Sequence, residues 1–323
     1  MTEKLLYLSR AQVEQLIPAR NALRAALAQA VQDTAAQRLK FEPKTTLTFA
    51  TGHSFQAMPA LVSDEHGKGL AAVKWVSVVP TRAQSKLDNI HSVICVNDLA
   101  TGQPLAIMDG NYITLVRTAA LSALAAQYML VSKPLSIGFV GCGQQAREHL
   151  LAFLDLYPSL HQVFCISRSE ESAQKLATFA QDSGLEAQVT SQADDVLANC
   201  DIIISTVPSA PGFTPFLDAR KMRANALAIM VDLGRSWQPE GFSAFDHIAT
   251  DSLLQSQHPY DNEGKELSSV QVNLDLEILL AQPLNSVGRK AFFFKGIAPA
   301  DLAVAALVYH RAIEQNCGSF LER

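Results

Sequence analysis

Between Leu135 and Pro208 the chain alternates short apolar runs with amphipathic segments of helix length: LSIGFVG, QQAREHLLAFLDLY, HQVFCIS, EESAQKLATFAQDSG, LEAQVT, DDVLANC and DIIISTVP. This rhythm admits few folds, because a strand that returns to the same sheet through a helix runs parallel to its predecessor, by a right-handed crossover. It predicts an α/β architecture with a doubly wound parallel sheet. At the first strand-to-helix junction stands Gly141-Cys142-Gly143-Gln144-Gln145-Ala146, a GxGxxA that directly follows SIGFV. Gly141 permits the tight turn, Gly143 lets the backbone approach a pyrophosphate, and Ala146 allows close helix-to-strand packing while the helix N-terminus faces the phosphates. Without its surroundings the motif is equally a plain βα turn; inside this frame it predicts a dinucleotide site.

The end of the second strand distinguishes the two nicotinamide cofactors, since an acid there bonds the ribose hydroxyls and repels a 2'-phosphate. Here the strand ends in Ser167-Arg168-Ser169 without an acid. A planar cation flanked by hydroxyls suits an extra phosphate, so NADPH is the expected cofactor and NADH the alternative. Ser169 also reads as a helix N-cap, and Arg168 as a solvated loop arginine.

The remainder is organised differently. Helical spacing from Ser9 to about Gln37 is followed by the β-prone runs TTLTFA, SFQAMPALV and GLAAVKWVSVVP, and then by HSVICVND and PLAIMDG around a turn at Ala100, Thr101 and Gly102. Strands so closely spaced predict an antiparallel or mixed sheet. TLVRTAALSALAAQYMLV then reads as a long helix leading to the second domain, and a last helix is expected from near Pro299 to a stop at Gly318. The stretch from Phe242 to Arg289 resists parsing. With 323 residues, two domains are expected. Their bounds are 1–125 plus 299–323 for an α+β domain and 126–298 for the Rossmann-type domain.

Three basic residues stand in unusual company. Arg117 falls in the first turn of a helix read as starting near Thr114, where the helix dipole opposes a cation. Lys74 interrupts the apolar strand AAVKWVSVV, and Lys44 follows Pro43 at the start of another strand. Singly each is a surface charge, Lys74 a strand-edge lysine; together they describe a carboxylate pocket.

Charged residues make up 18%, below the ~25% usual for soluble domains, and hydrophobic ones 48%, which predicts surface covered by another subunit. With 26 basic and 31 acidic residues and no basic run, there is no footprint for nucleic acid. No apolar stretch reaches the ~18 residues of a membrane span, and MTEKLLYLSRAQ lacks the apolar core of a signal peptide, so a soluble cytoplasmic protein is expected. The five cysteines, widely spaced in apolar contexts, read as buried reduced thiols, and neither they nor the eight histidines show metal-ligand spacing.

The combination of MPA (Met58 to Ala60), Lys74 in its strand, MDGNYIT with RTAA, the GxGxQA loop, ATDS near Thr250 and FFKGIAPADLAVA resembles the ornithine cyclodeaminase and mu-crystallin family over nearly the whole chain. The resemblance implies a Rossmann domain and a substrate-binding and dimerisation domain built from the N-terminal half and last helix, hence a homodimer. It places Lys74 and Arg117 on the substrate carboxylate; the family's first arginine has no counterpart here, Lys44 being the nearest basic residue, and Lys44, Met58 and Asp301 are expected beside the substrate. On the cofactor it places Thr118, Gly141, Gly143, Gln144, Gln145, Ala146, Thr206 and Gly234, beside Ser167, Arg168 and Ser169. Where cyclodeaminases read G-x-Asp, this chain reads Gly234-Arg235-Ser236. Serine is a poor base and a poor ammonium partner, which turns the expectation from ornithine deamination towards imine reduction. The activity implied is NAD(P)H-dependent reduction of cyclic imino acids, Δ1-pyrroline-2-carboxylate to L-proline and Δ1-piperideine-2-carboxylate to L-pipecolate. Ser236, Lys74 and water are open as proton donors. The alternatives are ornithine cyclodeaminase and a non-catalytic, crystallin-like NADPH-binding protein.

Overall fold

The computed structural model describes residues 4–50, 53–79, 88–208, 212–256 and 272–322. In chain order it opens with β1 (Lys4–Leu8), α1 (Arg10–Leu16), α2 (Arg20–Ala35), β2 (Leu39–Phe41), β3 (Thr45–Ala50), β4 (His53–Ser63), β5 (Gly69–Val78), β6 (Ile90–Asp98), β7 (Pro104–Asp109) and α3 (Gly110–Met129). There follow β8 (Ser136–Val140), α4 (Gln144–Leu156), β9 (Gln162–Ile166), α5 (Glu170–Asp182), β10 (Glu186–Val189), α6 (Ala193–Asn199), β11 (Ile202–Ser205) and β12 (Leu227–Met230). The chain continues through β13 (His247–Thr250), α7 (Leu253–Ser256), β14 (Leu274–Asp275), α8 (Leu276–Ala281), β15 (Lys290–Phe293), α9 (Ala298–Glu314) and β16 (Ser319–Glu322). It divides into two compact units, Met1–Arg117 with Gly296–Arg323, and Thr118–Lys295.

The second unit carries the parallel sheet, ordered β10-β9-β8-β11-β12-β15-β13-β14. Every pairing in it is parallel. Its central strands β8, β11, β12 and β15 are buried at every position, as strands covered on both faces must be. Phe139, Phe292 and Phe293 are fully enclosed, each worth about 1.5–3 kcal/mol of transfer free energy. The order of strands reverses between β8 and β11, so the crevice at their carboxyl ends is where such a sheet takes its ligand.

The first unit holds a mixed sheet ordered β16-β1-β7-β6-β5-β4-β2, with β3 also on β4. Only β1 with β7 is parallel among its pairings. The helix α9 packs on β2, β4, β5 and β6, and α1 and α2 pack on α9. Alternation along β5 turns Ala72, Lys74 and Val76 inward and leaves Val73 and Trp75 outside.

Several expectations are corrected. The helix α3 begins at Gly110 rather than near Thr114, so Arg117 lies about two turns inside it and the dipole argument for its oddity does not apply. Lys74 is on an interior strand between β4 and β6, not on a sheet edge. Neither β1 nor β16 was readable from local sequence, since each is a short strand completed by the other, Leu6 opposite Phe320. The last helix ends at Glu314 rather than continuing to Gly318. The strand expected to run through Pro80 is seen as far as Val78, and Pro80 lies outside the described residues.

Candidate active site

In the first unit three elements bring charge to one buried point. Lys74 comes from β5, where its cross-strand neighbours Met58 and Ile94 are themselves buried. Its ammonium nitrogen lies 2.8 Å from Asp301 Oδ1, 2.8 Å from Asp301 Oδ2, and 3.3 Å from Thr114 Oγ1. Arg117, from α3, donates through Nε to Asp301 Oδ1 at 3.0 Å. Asp301 belongs to the first turn of α9, behind Pro299, where the positive helix end favours a carboxylate. All three are almost completely enclosed.

The balance of charge is what gives this cluster its chemistry. The charges that act on Lys74 are those of Arg117, Asp301 and, more weakly, Lys44. Burial, and after it the Arg117 charge, lower the Lys74 ammonium from 10.5 to about 7, against the opposing pull of Asp301. A guanidinium beside an ammonium, both enclosed, suits a carboxylate. Lys44 is half-buried immediately before β3. The expected substrate residues Lys44, Met58, Lys74, Arg117 and Asp301 therefore do converge. Thr114 is an addition: it stands one turn before Arg117 in the quoted motif, and only the true start of α3 shows that both share a helix face.

The second unit gathers the nucleotide loop. Gly141 has φ +90°, and a Cβ there would lie 2.9 Å from Thr206 Oγ1. That hydroxyl donates to Gly141 O at 2.9 Å, joining the ends of β8 and β11. At Gly143 a Cβ would meet nothing within 4 Å, which leaves the backbone open to an approaching pyrophosphate. The helix α4 starts there with no side-chain cap and no acid in its first turn, so its N–H groups are available to an anion. Ala146 is buried against the sheet, Gln144 is exposed, and the side-chain oxygen of Gln145 is enclosed without a hydrogen-bond partner among the described residues. These features fit a dinucleotide. Thr118 is buried at the start of this unit.

At the end of β9, Ser167 is half-buried, and Arg168 is exposed with no ion pair among the described residues. Ser169 caps α5 by accepting from Ser172 N at 3.3 Å, as its sequence position implied. Ser236, expected as a catalytic residue, lies in the loop after β12. It is fully enclosed, and its hydroxyl donates to Asp232 Oδ2. The other carboxylate oxygen of Asp232 accepts from Ser205 Oγ at 2.8 Å. Gly234, at φ +75°, lies in the same loop after β12. Asp232 was missed in the sequence, although an acid directly after the apolar run LAIMV is a visible signal.

A model of the "Ornithine cyclodeaminase/mu-crystallin family" matches residues 3–230. The chain is 29% identical to an alanine dehydrogenase of Archaeoglobus fulgidus, over 97% of each chain. It is 27% identical to a Delta(1)-pyrroline-2-carboxylate reductase of Bacillus cereus, covering 91% of this chain and 92% of the relative. Among solved structures, an archaeal alanine dehydrogenase dimer with bound NAD superimposes with a TM-score of 0.86 at 26% identity, over 99% of both chains.

Proposed function

The chain belongs to the ornithine cyclodeaminase/mu-crystallin family, and from that premise we propose that it is an NAD(P)H-dependent reductase of cyclic ketimines, taking Δ1-pyrroline-2-carboxylate to L-proline and the six-membered Δ1-piperideine-2-carboxylate to L-pipecolate. The observation that carries this reading is the buried Lys74–Asp301–Arg117 cluster, which gathers a guanidinium and an ammonium at one enclosed point. Arg117 and Lys74 hold the substrate carboxylate and so fix the adjacent C=N carbon. Similarity to a pyrroline-2-carboxylate reductase supports the same substrate class.

Gly141, Gly143, Gln145, Ala146 and Thr206 would hold a nicotinamide cofactor, whose chemistry there would be to supply a hydride for the reduction. The imine nitrogen must gain a proton. Of the candidates, Lys74 has a proton to give near neutral pH, whereas the Ser236 hydroxyl is already committed to Asp232. Lys74 is therefore assigned as the donor, and Ser236 as a loop residue. NADPH is the assigned cofactor, on the strength of Ser167-Arg168-Ser169 and an exposed Arg168 at the end of β9.

The alanine dehydrogenase relative favours a second reading with the same carboxylate site, in which the imine is the open-chain one formed from pyruvate and ammonia. We also assign a homodimer. The outer face of the first unit's sheet exposes Val73 (37%), Trp75 (42%) and Val93 (39%), where a solvated sheet face would be polar. A second copy of the chain is the proposed cover.

The test is NADPH oxidation with pyrroline-2-carboxylate, piperideine-2-carboxylate and pyruvate plus ammonium, alongside NAD-dependent ammonia release from L-ornithine. Turnover of a cyclic imine at least tenfold above the others supports the proposal. Turnover of pyruvate plus ammonium alone replaces it with the second reading, and ammonia release from ornithine alone overturns both.

A further inference from the structure

At the carboxyl end of the parallel sheet one buried carboxylate ties together loops that no role above explains. Asp232 stands two residues past the end of β12 and is almost fully enclosed. It accepts from Ser205 Oγ at 2.8 Å and from Ser236 Oγ, and Ser205 Oγ in turn accepts from Trp237 Nε1 at 3.1 Å. Its own N–H bonds Ser205 O at 3.2 Å. Beside it, Arg235 donates from Nη1 to Val207 O at 3.1 Å. One side chain thus joins the last residue of β11 to both ends of the loop after β12.

The tie continues to the nucleotide turn. Ser205 is followed by Thr206, whose N–H bonds Val140 O at 2.8 Å and whose hydroxyl bonds Gly141 O at 2.9 Å. The loop after β12 is also held in an uncommon shape, with Leu233 at φ +61° immediately before Gly234. A branched side chain keeps that conformation only where its surroundings impose it. Burying a carboxylate is unfavourable, and burial does push the Asp232 carboxyl up, so a residue serving packing alone would do as well without the charge.

We propose that Asp232 is a positioning residue for the nicotinamide cofactor: through Ser205 and Thr206 it holds the Gly141 turn, and through Ser236 it holds the loop after β12, in the arrangement that receives the dinucleotide. The inference rests on cofactor binding by this unit and not on which imine is reduced. It also gives Ser236 a task that needs no contact with substrate.

The experiment compares the full-length wild type with Asp232→Asn, Ser236→Ala and the double variant, each also carrying Trp75→Phe so that Trp237 is the remaining tryptophan. NADPH affinity is read from nicotinamide fluorescence and from quenching of Trp237, with thermal melting followed in parallel. Asp232→Asn is expected to weaken NADPH at least tenfold and to abolish the Trp237 response. Ser236→Ala is expected to weaken it less, and the double variant no more than Asp232→Asn alone. Should Asp232→Asn fail to fold, Ser236→Ala still tests the tie, with at least a threefold loss of affinity expected at an unchanged melting temperature. NADPH affinity within twofold of wild type in the folded variants would overturn the inference, as would a melting-temperature loss with normal affinity. A wild type that binds neither NADPH nor NADH would instead remove the cofactor reading itself.

Discussion

Lys74 and Asp301, 227 positions apart in the chain, meet at 2.8 Å in the interior of the first unit. Arg117 shares the same carboxylate at 3.0 Å. Asp301 is therefore a counter-charge shared by two enclosed cations, and its removal has a defined consequence. Asp301→Asn keeps the shape and deletes the charge, which should destabilise the protein by about 3–5 kcal/mol. Urea unfolding at neutral pH measures it, and a change within about 1 kcal/mol would mean that solvent already screens the cluster.

The lowered Lys74 ammonium, at about 7, sets the pH response. In the unfolded chain the same group titrates at its ordinary 10.5. Between these values the unfolded state binds a proton that the folded state does not, so stability rises with pH across that window, and the penalty for holding a charged Lys74 is complete below it. Activity should move the other way, falling above about pH 7 as the donor proton is lost. Lys74→Arg stays charged and should lose that alkaline limb from whatever activity is left, while Lys74→Met should flatten the rise in stability. An alkaline limb unchanged in Lys74→Arg would assign the proton to another group.

Arg117→Lys preserves charge and discards the planar fork. Loss of one charge-assisted bond costs about 1.5–3 kcal/mol, so kcat/KM for the imino acid should fall roughly ten- to hundredfold, with kcat falling too if the clamp sets the hydride distance. NADPH affinity, followed by fluorescence, should hardly change. Near-normal turnover would show that the carboxylate is held elsewhere.

Arg168 is exposed at the end of β9, and its expected role is confined to the 2'-phosphate. Arg168→Ala should raise the KM for NADPH roughly ten- to hundredfold and leave NADH much less affected. Equal effects on both cofactors, or a wild-type preference for NADH, would contradict the assignment.

Trp75 stacks on Phe55, ring centroids 5.8 Å apart, on the outer sheet face. A charge placed there should split a dimer that uses this face, so Trp75→Glu is expected to sediment as a monomer under conditions where the wild type sediments as a dimer. A variant that remains dimeric would move the interface off this face.

Local sequence suffices for the features that depend on neighbours along the chain. Strand and helix alternation from β8 to β11 follows from apolar period, and the Gly141 turn from two glycines placed between a strand and a helix. The Ser169 cap follows from a hydroxyl just before an amphipathic run. Even Lys74 and Arg117 stood out locally, as charges inside apolar segments, but the reason offered for Arg117 failed because the start of α3 lies four residues earlier than its apolar period suggests. What the tertiary structure alone decided is pairing. Asp301, set beside the substrate by the family resemblance alone, meets Lys74 because α9 packs across β5. Ser236, expected as a catalytic residue, gives its hydroxyl to Asp232 because the ends of β11 and β12 lie side by side. Strands β1 and β16 are too short to declare themselves: β1 is held between β7 and β16, and β16 pairs with β1 from the far end of the chain. Periodicity specifies which face of an element is buried; it carries no information about which distant side chain will be waiting there, and the charge state of a buried lysine depends on that partner.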